Sequence, residues 1–217
     1  MYALLCLVFG GLPVCAQQKT ICIDPGHISE VGAGTTSAQI SELEANWRVA
    51  QKLRSELLSR GYTVVMTKKS IDDVVRNKRR AEIANEAHAS LMVRLHCDAT
   101  TGRGMTLYYP DRQGRQGGTT GPTARVIAES KRIAAKMSTV LSQSLKGLLP
   151  VHPVKTDRQT LIGSRQGALT GSIYSQVPVV LIEMVNLKNS QDSKFIASEL
   201  GQWAIAQAIA KAVDGSL

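Results

Sequence analysis

Aromatic side chains are scarce in this chain: two Trp, two Phe and five Tyr make up 4% of 217 residues. Its basic residues are therefore not interleaved with rings on which bases could stack, and nucleic acid is not an expected partner. Acidic residues also run short, with 17 Asp+Glu against 26 Lys+Arg and a net charge of +9. That surplus has two readings, an ordinary solvated surface or attraction to a polyanion. Cysteines that could pair are lacking too. Of the four, Cys6 and Cys15 fall in an apolar leader, Cys22 precedes a histidine by five residues, and Cys97 directly follows another. If both histidines reach the same rim of a sheet, the two sulfurs differ in height by several residues at about 3.3 Å each. That offset is too long for a disulfide, so both read as buried free thiols. There is no internal repeat and no sign of a second domain. The length suits one domain, and 43% hydrophobic content supplies its core.

Met1–Ala16 carries no charged side chain and ends in Val14-Cys15-Ala16, small-residue chemistry like an export cleavage site, although the usual positive start is missing. The expectation is a signal peptide over residues 1–17 and a mature domain over 18–217; the alternatives are a buried element of the domain or an uncleaved anchor. An exported chain works in the periplasm or the extracellular wall space, where an anionic wall polymer or membrane surface suits the positive charge.

After the leader, strand-like and helix-like patterns alternate, which predicts an α/β layer structure. Strands are expected at Ile21–Asp24, Tyr62–Met66, Leu91–Leu95, Met105–Tyr109 and Val177–Ile182. Helices are expected from Ser41 to Gly61, over Ile71–Ala87, over Thr123–Leu149, and over Ser190–Val213 with Ile196, Leu200 and Trp203 on one stripe. Pro110–Gly121, with four glycines and no apolar run, reads as a mobile surface loop.

Two histidines end apolar runs, in Ile21-Cys22-Ile23-Asp24-Pro25-Gly26-His27 and in Leu91-Met92-Val93-Arg94-Leu95-His96. Ligands in open α/β sheets gather where strands end, and two imidazoles there can share a metal. A carboxylate completes a catalytic zinc site of three protein ligands, and Glu42 and Glu183 both offer one. Ser41-Glu42-Leu43-Glu44 fits a capping box, with Ser41 as N-cap and Glu44 reaching back to it. Glu42 is then free to face a cation, and is the expected ligand. Glu183 follows a buried run; it is either a general base with a pKa raised by burial or a rim carboxylate paired with arginine. Arg94 shares a strand face with His96 and could neutralise Glu183, orient a ligand or bind a substrate carboxylate. Arg94, Asp98 and Asn85 are the candidates for substrate binding or support of the ligands. His88 is expected in solvent, and His152 is a loop residue with a weak claim.

In order and in register, these residues resemble the zinc-dependent N-acetylmuramoyl-L-alanine amidases of the amidase-3 type over nearly all of residues 20–213. The opening motif matches Ile21–His27. Glu42 and Asn46 match a Glu four residues before an Asn. Arg80, Asn85 and His96 keep their spacing without a gap, and so do Pro178, Leu181, Glu183 and Asn189. The departures are Ile28-Ser29 for a glycine pair, Arg94-Leu95-His96 for Ser-Ile-His, and Val185-Asn186 for Gly-Phe. The resemblance implies one domain with a mixed, mostly parallel sheet of about six strands flanked by helices. It also implies Zn2+ on His27, Glu42 and His96, Glu183 as the catalytic carboxylate, and peptidoglycan as substrate, cut between N-acetylmuramic acid and L-alanine. The expected state is a monomer. The alternatives are a zinc peptidase cutting within the wall peptide and a non-catalytic, basic wall-binding domain.

Overall fold

Alternation along the strands decides how the central sheet is covered. In the computed structural model, which describes residues 18–100 and 102–217, the first strand β1 is Thr20–Pro25. Ile21 and Ile23 enter the main apolar core, whereas Cys22 joins a smaller cluster, as the period of two requires. The chain continues through α1 (Glu42–Ser59), β2 (Thr63–Met66), α2 (Asn77–Glu86), β3 (Leu91–Asp98) and β4 (Thr106–Tyr109). A hairpin follows, β5 (Gly114–Gln116) and β6 (Thr119–Gly121), then α3 (Ala124–Ser144), β7 (Lys155–Thr156), and the short α4 (Leu161–Gln166) and α5 (Thr170–Ile173). The last elements are β8 (Val179–Asn186), α6 (Ser190–Ala197) and α7 (Glu199–Ser216).

Six strands form one sheet in the order β2-β1-β3-β8-β4-β7. Only the β4–β8 pairing is antiparallel, so β4 and β7 run against the other four. This mixed, mostly parallel six-stranded sheet flanked by helices is the architecture expected, and the β5–β6 hairpin is a second, two-stranded sheet. Helices α1, α3 and α7 cover one face through Leu53, Met137 and Ile209. On the other face Cys22 and Met92 pack beside Ala84 of α2. Among the described residues no helix is long and apolar enough to cross a membrane. The leader expected at residues 1–17 lies outside the described residues.

Several boundaries differ from the expectation. Both site strands outrun their apolar stretches: β3 continues through His96 to Asp98, and β8 through Glu183 to Asn186. Glu183 therefore lies within a strand, not at its end. The helix expected from Ile71 begins at Asn77, because Asp73 draws the amides of Lys69 (2.7 Å) and Ser70 (3.0 Å) into a local turn that competes with helix. Residues 110–121 contain the β5–β6 hairpin in place of a featureless loop, with Gly114 buried. The helix from Thr123 stops at Ser144, leaving Leu148 half exposed in the turn beyond. The closing helix is two helices broken at Ser198, whose hydroxyl caps α7 by accepting the Gly201 amide at 3.0 Å; Leu200 is 84% exposed, off the core stripe.

Half of the expected capping box is present. The Ser41 hydroxyl accepts the Glu44 amide at 3.2 Å, but the Glu44 carboxylate turns to Arg48 at 2.6 Å. Chemical unfolding should accordingly show Ser41→Ala losing about 1 kcal/mol and Glu44→Ala only about 0.3–0.5 kcal/mol, typical of an exposed i,i+4 pair. Equal losses would restore the reciprocal box.

Candidate metal centre

His27, Glu42 and His96 converge at the rim where β1 and β3 end and α1 begins. One potential ligand atom from each lies within 4.8 Å of the others. The Glu42 carboxylate is held from both sides: Oε2 accepts the Thr35 amide at 3.0 Å and Oε1 the Cys97 amide at 3.2 Å. Two glycines make the approach possible. A Cβ on Gly26 would lie 2.3 Å from His96 Cε1, and one on Gly34, whose φ is +85°, would lie 2.5 Å from Glu42 Oε2. Any larger residue at either place would push a ligand aside.

The donor set fits a cation. His27 Nδ1 lies 3.0 Å from the Gly32 carbonyl, which can only accept, so Nδ1 carries the ring proton. In the neutral ring Nε2 is the free ligand atom; it lies 3.1 Å from Glu42 Oε1, and His96 Nδ1 lies 3.2 Å from the same oxygen. Among the described residues His96 Nε2 is buried without a partner. Two imidazole nitrogens on one carboxylate oxygen need positive charge among them, a proton or a metal ion, and a carbonyl that fixes the imidazole tautomer is typical support for a metal ligand. Two imidazoles and a carboxylate form one of the ligand sets of catalytic zinc.

The electrostatics divide the two carboxylates. Burial would raise Glu42, but hydrogen bonds and positive charge from His27 and His96 outweigh it and hold the carboxyl well below its usual range. His27 is shifted up, burial opposing and contact with Glu42 prevailing; His96 is shifted down by burial. Glu183 is pushed well above the usual carboxylate range, first by burial and then by the negative charges of Glu42 and Asp98. It is the register partner of His96 on the adjacent strand, and its Oε2 is buried with no partner among the described residues. Register partners on parallel strands point to the same face, so Glu183 sits beside the three-residue cluster without being needed to complete it.

Beneath the cluster lies a group that sequence reasoning missed. Asp24 is fully buried and takes Arg80 Nη1 at 2.6 Å on Oδ1, Arg94 Nε at 2.8 Å on Oδ2 and the Thr67 hydroxyl at 2.6 Å. Burial opposes its ionisation, yet the two guanidiniums and the hydroxyl hold its carboxyl well below the usual range. Arg80 also binds the Pro25 carbonyl at 2.7 Å and the Ile28 carbonyl at 2.9 Å, and the buried Lys68 ammonium binds the His27 carbonyl at 2.8 Å. These cations clamp the turn that presents His27. Asp24 was legible as an acid closing an apolar strand on the face opposite Ile21 and Ile23, a position that demands a partner.

The other sequence candidates are placed as follows. Arg94 is engaged by Asp24 and by Asn77 Oδ1 at 2.6 Å, and does not pair with Glu183. Asn85 is remote from the cluster in its bonding: it donates to the Tyr174 carbonyl at 2.9 Å and accepts the Gln176 amide at 2.8 Å, tying α2 to the turn after α5. Asp98 stands at the end of β3 and accepts the Ala99 amide at 2.6 Å. His152 Nε2 is held by the Arg103 carbonyl at 2.6 Å, and His88 is exposed. Cys22 and Cys97 are buried free thiols, Cys97 turned to Asn46 on the face away from His96. Asn46 also donates to the Gly26 carbonyl at 3.3 Å, and Asn189 caps α6. Asp192, unremarked in the sequence, is buried and joins β8 to the approach to β4 by accepting the Asn186 and Gly104 amides.

The chain also resembles known proteins. A curated relative, a probable cell wall amidase LytH of Staphylococcus aureus, is 29% identical over 205 residues, covering 92% of this chain. This chain spans 57% of that relative's length. Among solved structures, the amidase Ami1 of Mycobacterium smegmatis superposes with a TM-score of 0.73 at 21% identity, covering 91% of this chain and 95% of that one. The CwlD amidase of Clostridioides difficile, solved with the GerS lipoprotein, gives 0.72 at 22% identity, covering 91% and 97%. These likenesses show a shared fold. Residues 21–215 match the family Amidase_3, described as N-acetylmuramoyl-L-alanine amidase, and the chain belongs to that family.

Proposed function

We infer that this chain is a zinc-dependent peptidoglycan hydrolase that cuts the amide between the lactyl group of N-acetylmuramic acid and L-alanine of the stem peptide. The observation that carries the reading is the convergence of His27, Glu42 and His96 within 4.8 Å beside Glu183. Those three side chains would hold the cation. A bound zinc ion supplies polarisation of the amide carbonyl and lowers the pKa of a bound water to about 7.

The chain's own chemistry rests on Glu183. Its Oε2, buried and unpartnered, accepts a proton from the attacking water and returns it to the departing alanine nitrogen, general base and then general acid. The Asp24–Arg80–Arg94 group and Lys68 keep the His27 turn in place. Substrate in the wall calls for export, for which Met1–Ala16 is the proposed signal, and the net charge of +9 favours approach to an anionic wall.

Mass spectrometry of purified peptidoglycan after digestion tests the assignment. Free stem peptides and glycan strands with the lactyl ether intact are expected. Release of D-alanine or a cut within the peptide would make the protein a peptidase, and no release under zinc loading would make it a wall-binding domain.

A further inference from the structure

The sheet face that carries His96 and Glu183 continues past them. Thr106 on β4 is the register partner of Glu183; Tyr108, two residues on, faces the same way and pairs with Lys155 on β7. At about 4.8 Å between neighbouring strands, β7 lies roughly 10 Å beyond β8. A cavity of about 420 Å³ opens there, bordered by Asp98, Thr106, His152, Lys155 and Asn186.

Most polar groups in its wall are already engaged. Asp98 accepts its neighbour's amide, and His152 is held by the Arg103 carbonyl. Arg103, also in the wall, binds Asp192 at 3.3 Å and the Leu148 carbonyl at 3.0 Å. Lys155 differs. Among the described residues its ammonium has no ion-pair or hydrogen-bond partner; it lies 5.9 Å from the centre of the Tyr108 ring, a contact that does not neutralise the charge. The exposed Lys155 is thus the cation in this wall without a carboxylate partner among the described residues, while Asp98 keeps a negative charge in the same wall.

The direction of the reaction says what arrives there. If Glu183 returns the proton to the departing nitrogen, the leaving peptide lies on the β8 side of the cluster, and β4 and β7 are next along. An extended peptide advances about 3.3–3.6 Å per residue. A carboxylate one or two residues past the cut, together with the length of the lysine side chain, spans the gap. We propose that Lys155 binds a carboxylate of the leaving peptide, which makes this cavity a subsite that favours stem peptides whose second residue keeps a free α-carboxylate over those in which it is amidated. The proposal rests on the amidase reading above.

Two soluble muropeptides that differ only in that group, free acid or amide, test it at low and high salt. The zinc-loaded wild type should prefer the acid roughly five- to tenfold in kcat/KM, through KM, because the contact is remote from the reacting bond. The preference should shrink as salt screens it. Lys155→Gln should bring the ratio to about one, and Lys155→Arg should keep a preference. A wild type with no preference, or a Lys155→Gln variant that retains it, overturns the assignment. Failure of the amidase reading looks different, since neither substrate would be cut. The corresponding free stem peptides, titrated calorimetrically against the zinc-loaded protein, then decide. Tighter binding of the acid that disappears in Lys155→Gln upholds the subsite, and equal binding of the two peptides refutes it.

Discussion

Replacing Glu183 with glutamine should leave the protein folded and metal-loaded while lowering wall hydrolysis at least about 100-fold, the low end for a lost general base. Glutamine keeps the size of glutamate and can still hydrogen-bond, but it cannot take the proton of water. The cost to folding should be small, because burial and the nearby Glu42 and Asp98 charges already disfavour an ionised group at this place. Metal should stay, because His27, Glu42 and His96 form the cluster without it. Steady-state turnover and metal content of the same preparation separate the outcomes. Near-normal turnover would assign the base to another group, and loss of metal would exchange the roles of Glu42 and Glu183.

Asp24→Asn should be the most damaging single-atom-scale change outside the metal cluster. It removes the counter-charge from two buried guanidiniums, those of Arg80 and Arg94, and breaking such a pair costs about 3–5 kcal/mol. The pH dependence has a fixed sign. Because the folded pKa of Asp24 is depressed, its contribution is fully present above the unfolded carboxylate value of about 3.9 and is lost as pH falls through the folded value. Urea unfolding at a series of acidic pH values should therefore show wild-type stability falling below about pH 4, and a flatter profile for Asp24→Asn. A variant within 1 kcal/mol of wild type, with an unchanged profile, would remove Asp24 from the account.

Glu42 was legible by its place directly after the N-cap Ser41, although the Glu44 half of the expected capping box did not form, and the histidines because each closed an apolar run. The strands that carry the site were read short for the same reason. β3 runs on through His96 to Asp98 and β8 through Glu183 to Asn186, where the hydrophobic pattern is interrupted by polar residues in register across the sheet, His96 with Glu183 and Asp98 with Asn186. Motif spacing also conceals roles. Arg80 and Asn85 lie five residues apart on one helix, yet Arg80 grips Asp24 beneath the cluster while Asn85 ties down the turn after α5. Asp24, Lys68 and Asp192 act through partners distant in sequence, and no local pattern announces such pairs. The loop over residues 71–76 and the break at Ser198 were hidden by side chains that bond to nearby amides, a competition that apolar periodicity does not register.

Metal content of freshly purified protein, measured by plasma mass spectrometry, addresses the central claim most directly. Wild type and Glu183→Gln should each hold close to one zinc per chain, while Glu42→Ala and His96→Ala should hold little, since two remaining ligands bind zinc poorly. Wild-type protein without metal or with stoichiometric iron, or a Glu42→Ala variant that keeps its full zinc, would contradict the account.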